Sequence, residues 1–348
     1  MSEVAEIERQ LLLYNSSSRG ARFSSVLTFT TNQRMSSQAG SSDTYGVPGA
    51  GAGGGSKYKP FKEEEAKRPE FDPSLSYTLT KAPDVNFKAG QGLNSHPASA
   101  RFGADDAKFH VIQVGKTKVS SGTMYKLMIS SIAPRPVALV TTLNEDGSPN
   151  LAPISWYQMV SHDPAMVMIS FGGGENRRKD SENNIKRLKE FSISSSSEPY
   201  AEALNFASVD CPTGTSEYAL SGLTPVKSKA IQTPRVKEAP MSMECELEYT
   251  RDIHNTDSKH TTTLVLGRVK VLHIRKDTIN PETGAVDASK TLPVTRIGGL
   301  QYARTSVGYE LERPKWSEIK DRPDVKAALE KGSQPWFESK DEVLDSYP

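Results

Sequence analysis

The run Ile132-Ala-Pro-Arg-Pro-Val-Ala-Leu-Val-Thr-Thr-Leu-Asn-Glu-Asp-Gly-Ser-Pro-Asn-Leu-Ala-Pro-Ile-Ser155 decides the fold. Pro136 to Leu143 is β-branched and apolar and is bounded by proline and by Glu145-Asp146-Gly147, a hairpin turn. It reads as a strand, and Asn150 to Ser155 continues the chain beyond the turn as small residues with a proline. Ala165 to Phe171 is a continuous apolar run behind Asp163-Pro164. Its shortness predicts a buried strand rather than a helix. Gly172-Gly-Gly-Glu-Asn-Arg-Arg-Lys-Asp-Ser181 then leads into a predicted helix over 181–190, with Ile185 and Leu188 at helical spacing and Asp180 or Ser181 as cap.

Phe191 to Ser195 reads as a short strand and Glu198 to Val209 as a helix carrying Ala201, Leu204 and Ala207. Met243, Cys245, Leu247 and Tyr249 alternate with Ser242, Glu244, Glu246, Glu248 and Thr250, the pattern of a strand with one buried and one wet face. Thr261 to Ile274 is a long second strand, joined to the first through Asn255-Thr256-Asp257. Gly267 within it predicts a bulge or the close approach of another backbone. Short strands dominate, with a few helices between them. The expected class is mainly β: an antiparallel barrel with inserted helices, not alternating βαβ units.

The barrel is expected over 119–310 of the 348 residues. Residues 1–56 read as a disordered extension ending in a Gly/Ser/Ala linker. Residues 9–42 hold Arg9, Arg19, Arg22 and Arg34 and no acid, as a mitochondrial targeting segment does, whereas Glu3, Glu6 and Glu8 oppose that reading. Residues 57–118 are expected to wrap over the core or a partner subunit as irregular chain. Residues 311–348 form a charged tail in which Asp324 to Lys331 is helical and Trp316 and Trp336 dock on the core or, alternatively, bind a partner.

Forty-three basic and 42 acidic side chains give a net charge of +1, so no global field favours nucleic acid or membrane. No apolar run approaches the roughly 20 residues that span a bilayer. Cys211 and Cys245 have no metal or redox spacing and read as free thiols of a reducing compartment. The expected location is the cytoplasm, with the mitochondrion as the alternative.

Arg177, Arg178, Lys179, Asp180 and Ser181 open a helix. Free N–H groups at a helix start favour an anion and neighbouring cations add to that; the alternative is a solvated charged loop. Small residues over Asn150 to Ser155 let backbone groups approach a planar ring, or form an ordinary kinked strand. The histidines His96, His110, His162, His254, His260 and His273 show no zinc spacing, so no metal is expected. His260, at the mouth of the long strand, is either a contact for substrate or nicotinamide or a surface residue. Arg296-Ile-Gly-Gly-Leu-Gln-Tyr-Ala-Arg304 is either a barrel-closing turn or a ligand contact through Tyr302. There is no Walker A pattern and no nucleophile elbow.

In order, Ala133-Pro-Arg-Pro136, Asn150-Leu-Ala-Pro153 with Ser155, Arg178-Lys-Asp-Ser181 with Asn184, and Gly298-Gly-Leu-Gln-Tyr302 resemble the flavin reductase-like family, whose fold is the FMN-binding split barrel. The resemblance covers about Tyr125 to Arg304. Ser216-Glu-Tyr-Ala-Leu-Ser-Gly-Leu223 and Pro234-Arg-Val-Lys-Glu-Ala239 are similar to a fungal and bacterial, flavoprotein-oxygenase-type branch.

The resemblance implies a homodimer with FMN near its interface. It places Ala152, Pro153 and Ser155 along the ring and ribityl chain, and Arg178, Lys179 and Ser181 on the phosphate. Arg135, Pro136, Asn150, Asn184 and Tyr302 join them as cofactor-binding residues, with His260 on the substrate. Many reductases carry His where this chain has Thr262, with His260 two residues earlier. The implied function is an NAD(P)H-dependent flavin reductase or related oxygenase that serves a small-molecule acceptor or a partner oxygenase. Alternatives are a flavin carrier or sensor without turnover and a pyridoxamine-phosphate-oxidase-like enzyme. The flavin does the chemistry, so no catalytic side chain is assigned.

Overall fold

The structure is a computed structural model, and it describes residues 61–104, 108–174, 178–332 and 343–347. The extension and linker expected over 1–56 lie outside the described residues, as do Arg177 and Trp336.

The strands are β1 (Thr78–Thr80), β2 (Arg135–Pro136), β3 (Ala138–Leu143), β4 (Pro149–Ile154), β5 (Tyr157–His162), β6 (Ala165–Gly172) and β7 (Glu190–Ser195). They continue as β8 (Pro225–Val226), β9 (Arg235–Val236), β10 (Met241–His254), β11 (His260–Ile274), β12 (Val294–Arg296), β13 (Tyr302–Arg304) and β14 (Val307–Tyr309). Seven of them form one antiparallel sheet in the order β4-β3-β7-β10-β11-β6-β5. Strands β4 and β5 occupy opposite edges of that sheet, yet only Ser155 and Trp156 separate them in the chain. A link that short can join the two edges only if the sheet curls round on itself. The closure is visible where β4, one edge of the sheet, lies against β6, the strand next to the opposite edge. The expected split barrel is therefore the observed architecture.

The β3–β4 hairpin turns at Asn144 to Ser148, where Gly147 takes φ +82°, as the Glu-Asp-Gly sequence predicts. The single strand expected over Pro136 to Leu143 is split. Arg135 and Pro136 pair with β12, and Ala138 onward pairs with β4 and β7. Around the break, Val137 and Leu139 face one apolar cluster with Leu151, Leu204 and Val236, while Ala138 and Val140 face another with Ile169, Phe191 and Val265. Burial on both faces is why β3 reads as an unbroken apolar run. β6 does not share that property: Val167, Ile169 and Phe171 are buried, but Met166, Met168 and Ser170 are only half-buried.

The helices are α1 (Phe61–Glu65), α2 (Ser99–Phe102), α3 (Ser121–Ser131), α4 (Asp180–Leu188), α5 (Ala201–Phe206), α6 (Glu217–Ser221), α7 (Ala288–Thr291), α8 (Trp316–Ile319) and α9 (Pro323–Lys331). The helix predicted over 198–209 is shorter, a 3-10 turn at Glu198–Tyr200 followed by α5. No helix among the described residues is long and apolar enough to cross a membrane.

Two expectations for the long hairpin are corrected. Alternation placed Glu244 on the wet face of β10, but it is fully buried. There it accepts hydrogen bonds from the Lys229 N–H (2.7 Å), the Ala230 N–H (2.6 Å) and His273 Nε2 (2.6 Å). Irregular register after Glu244 and after Leu247 breaks the alternation and leaves Tyr249 half exposed. Gly267 does sit at a bulge, pairing with Leu247 where the register shifts to Tyr249 with Leu266, and it also marks a close approach, though of a side chain and not a backbone. A Cβ there would lie 2.4 Å from Phe191 Cζ, in the middle of the barrel core. Gly267→Ala should therefore destabilise the protein by about 1–3 kcal/mol, measured by urea unfolding. Adding Phe191→Leu should lessen the penalty of the glycine change in a double-mutant cycle.

Candidate functional site

A cavity of about 310 Å³ opens between strand β4, the start of helix α4 and the Ala207–Thr213 loop that follows α5. Of the residues singled out in the sequence, Asn150, Ala152, Pro153, Arg178, Lys179 and Ser181 line it together. Four elements distant in sequence meet here because α4 packs on β3 and β4, and α6 packs on β4.

The helix start has the chemistry of an anion site. Lys179 is the N-cap, in extended conformation and without a side-chain capping bond, where Asp180 or Ser181 was expected. The first intrahelical bond comes from Asn183 to the Lys179 carbonyl (3.1 Å), so the preceding N–H groups have no helical acceptor. The Ser181 hydroxyl, 2% exposed, accepts from Asn150 Nδ2 (2.9 Å), which leaves its own proton available for donation. Among the described residues Lys179 makes no side-chain hydrogen bond or ion pair.

Arg178 is held differently. Its guanidinium donates to Glu182 Oε1 (2.5 Å) and Asp252 Oδ2 (2.9 Å). Lys186 Nζ reaches the same two carboxylates, 2.8 Å from each, and Thr263 Oγ1 lies within 2.8 Å of both. Glu182 is 1% exposed. Burial opposes its charged form, but hydrogen bonds from Lys186, Thr263 and Arg178 outweigh that and hold it below the ordinary carboxylate range. Asp252 is held far lower, first by Arg178 and then by Lys186. His260, 3% exposed, joins this cluster through Nε2 and Thr263 Oγ1 (2.9 Å). Glu182, Asp252 and His260 have the donor atoms of a metal site, but Arg178 and Lys186 already balance both carboxylates. The cluster ties the β10–β11 hairpin to the helix start.

The other sequence-predicted residues lie outside the cavity lining. Arg135 is buried and donates to the Ile129 and Ile132 carbonyls, and through Nε to Ser155 Oγ (3.4 Å), which clamps the end of helix α3 to the barrel. Pro136 is exposed. Asn184 Nδ2 donates to Thr142 Oγ1 (3.1 Å) and Asn144 Oδ1 (2.9 Å), so it pins α4 to the β3–β4 hairpin. Tyr302 stacks under Arg296 and donates to Asn205 Oδ1 (3.2 Å). His260, with Nδ1 unpartnered among the described residues, is in the ion cluster and is not a surface residue.

The sequence reading missed the outer wall of the cavity, which includes Asp210, Cys211, Thr213 and Glu217. Glu217 accepts the Leu151 N–H (3.2 Å) on the open edge of β4 and the Cys211 thiol (3.5 Å). Burial and then the Glu217 carboxylate push the Cys211 thiol up, which keeps it protonated. Thr213 Oγ1 lies 3.3 Å from the Asp180 carboxylate and joins the loop to the helix start. No periodicity marks this loop. By contrast, Arg178, Glu182 and Lys186 stand at successive i,i+4 positions, a signal present in the sequence.

The depressed carboxylates fix a pH dependence. Stability from Glu182 and Asp252 is fully present above the unfolded carboxylate range, about pH 4, and is lost as pH falls through their lower folded values. Asp252→Asn should lower stability near neutral pH by about 1–3 kcal/mol and flatten the acid limb of a urea-midpoint titration. Parallel acid limbs for variant and wild type would exclude this role.

The comparisons with known proteins agree with this geometry. Residues 130–293 match the model of the flavin reductase like domain. An uncharacterized protein of Bacillus subtilis, YwrF, is 34% identical over 197 residues, 57% of this chain and 96% of that one. Component B of nitrilotriacetate monooxygenase from Bacillus cereus shares the structure at TM-score 0.53 and 33% identity, over 56% of this chain and 95% of that one. The 2-nitrobenzoate 2-nitroreductase NbaA of Pseudomonas fluorescens does so at 0.53 and 28%, over 60% and 98%. With its barrel, its cavity and these relatives, the chain belongs to the flavin reductase-like family of flavin-binding oxidoreductases.

Proposed function

We propose that the protein is an FMN-dependent oxidoreductase that takes electrons from NADH or NADPH and works as a homodimer in a reducing compartment such as the cytoplasm. The observation that carries this reading is the helix start on the cavity. Uncapped N–H groups, the Ser181 hydroxyl and the Lys179 ammonium converge where a phosphate would fit. Beside them, the small residues Ala152 and Pro153 leave the β4 backbone open to a flat ring. When bound, a flavin supplies hydride acceptance at its ring and onward electron delivery to a small-molecule acceptor or partner oxygenase. The protein's own residues do the rest. Lys179 and the helix start would neutralise the phosphate, and Ser181 would donate to it. Glu217 fixes β4 by holding the Leu151 N–H. Arg178, committed to Glu182 and Asp252, positions the helix start and is not itself free for the phosphate.

One observation favours a second reading, a flavin carrier without turnover: among the described residues no histidine lines the cavity. NAD(P)H oxidation by the purified protein with added flavin separates the two, since a carrier binds flavin and leaves NAD(P)H unoxidised.

The purified protein should be yellow and release FMN on denaturation, detected by absorbance and mass analysis. A colourless protein that also fails to bind added FMN would overturn the reading. Lys179→Ala should weaken FMN binding by about tenfold or more, about 1.4 kcal/mol, with unchanged unfolding. Arg178→Ala should lower the unfolding midpoint as well, because it leaves Glu182 buried with one cation fewer. The double variant should lose FMN while the protein stays folded. Unchanged flavin content in it would refute the phosphate assignment.

A further inference from the structure

Two segments outside the matched domain are joined to each other along their length. β1 pairs in parallel with β14, and Val111 and Lys118 bridge to Val343 and Ser346. The Ala89 N–H donates to Asp324 Oδ2 (2.9 Å), and Arg304 holds Glu198 and the Asp72 carbonyl. This clasp has almost no core of its own. Among its described residues up to 118 only Thr117 is buried, and from 305 onward only Val325. Yet it carries sixteen of the thirty exposed large apolar side chains among the described residues, including Val85 (66%), Leu311 (72%) and Trp316 (61%). Ordered chain that buries so little of its own apolar surface lacks the term that offsets its lost conformational entropy.

The barrel has the matching deficit. Tyr125, Met128 and Ile132, at i, i+3 and i+7, form an outward apolar stripe along α3 and its C-cap. Met159 and Val160 are exposed on β5, an unpaired edge of the main sheet. The described residues thus present two apolar surfaces and cover neither.

We infer that the clasp docks on the α3–β5 face of a second copy of this chain, in a reciprocal exchange. The inference rests on the homodimer reading above and assigns its interface. A two-fold axis lets each clasp cover the other copy's barrel, so both deficits close in one assembly. The area is sufficient. Sixteen exposed apolar side chains offer on the order of 1,000 Å², against roughly 800 Å² per partner in a stable interface.

The test is sedimentation velocity of the full chain over a concentration series. Wild type should be a dimer. A clasp variant (Val85→Ser, Leu311→Ser, Trp316→Ser) and a barrel variant (Met128→Ser, Met159→Ser) should each dissociate at least about tenfold more readily. All five positions are exposed, and circular dichroism checks that both variants fold. An equal mixture of the two should re-form dimers more tightly than either alone, because one clasp and one barrel face remain intact in the heterodimer. A monomeric wild type would overturn the inference together with the dimer reading. An unchanged dissociation constant in the clasp variant, or a mixture no tighter than its components, would overturn the clasp alone. Flavin content, measured on the same samples, reports on the cofactor reading separately.

Discussion

The link of Ser155 and Trp156 between β4 and β5 is the constraint on which the rest depends. Two residues reach at most roughly 10 Å between flanking atoms, far less than the width of a seven-stranded sheet. The sheet must close, and closing it creates the interior filled by Phe171, Phe191, Ile193 and Val265. Gly267 is a consequence of that closure, since the Phe191 ring occupies the space a side chain on β11 would need. Closure also puts β4 on a seam. Its backbone has one unpaired edge, which Glu217 partly satisfies and which borders the cavity.

Around that seam the protein separates charge that holds structure from charge left for a ligand. Arg178 and Lys186 meet Glu182 and Asp252, two cations against two carboxylates. An ion cluster built round a buried carboxylate contributes modestly to net stability, but removing a partner of Glu182 is costly, so it fixes geometry. What it fixes is the position of the α4 start relative to the β10–β11 hairpin. Lys179, one residue on, has no side-chain partner among the described residues and lies at the cavity. Adjacent residues of like charge thus do different work, decided by which carboxylates each side chain can reach.

Much of this was legible in the sequence. The β3–β4 hairpin, the long β10–β11 hairpin and the basic helix start follow from turn residues, alternation and spacing, which act over a few neighbouring residues. Errors arose where burial came from elsewhere in the chain. Glu244 reads as wet by alternation, but His273 and the Lys229–Ala230 backbone supply its hydrogen bonds from outside its strand. Tyr249 reads as buried, but a register irregularity turns it outward. Asn184 and Tyr302 belong to family motifs, yet their polar atoms are engaged by Asn144 and Asn205.

The sequence by itself determined the class of fold and the strands β3, β6, β7, β10 and β11, because periodicity and turn chemistry are local properties of the chain. It also determined the family, through motifs whose order is a property of the chain. Only the tertiary structure decided that Arg178 is committed to carboxylates while Lys179 has no such partner among the described residues, that His260 is buried in an ion cluster, and that the loop carrying Cys211 and Glu217 forms a cavity wall. Those outcomes depend on contacts between residues tens of positions apart, such as Arg178 with Asp252 and Leu151 with Glu217. No local pattern encodes such contacts, since the closed barrel is what brings their partners together.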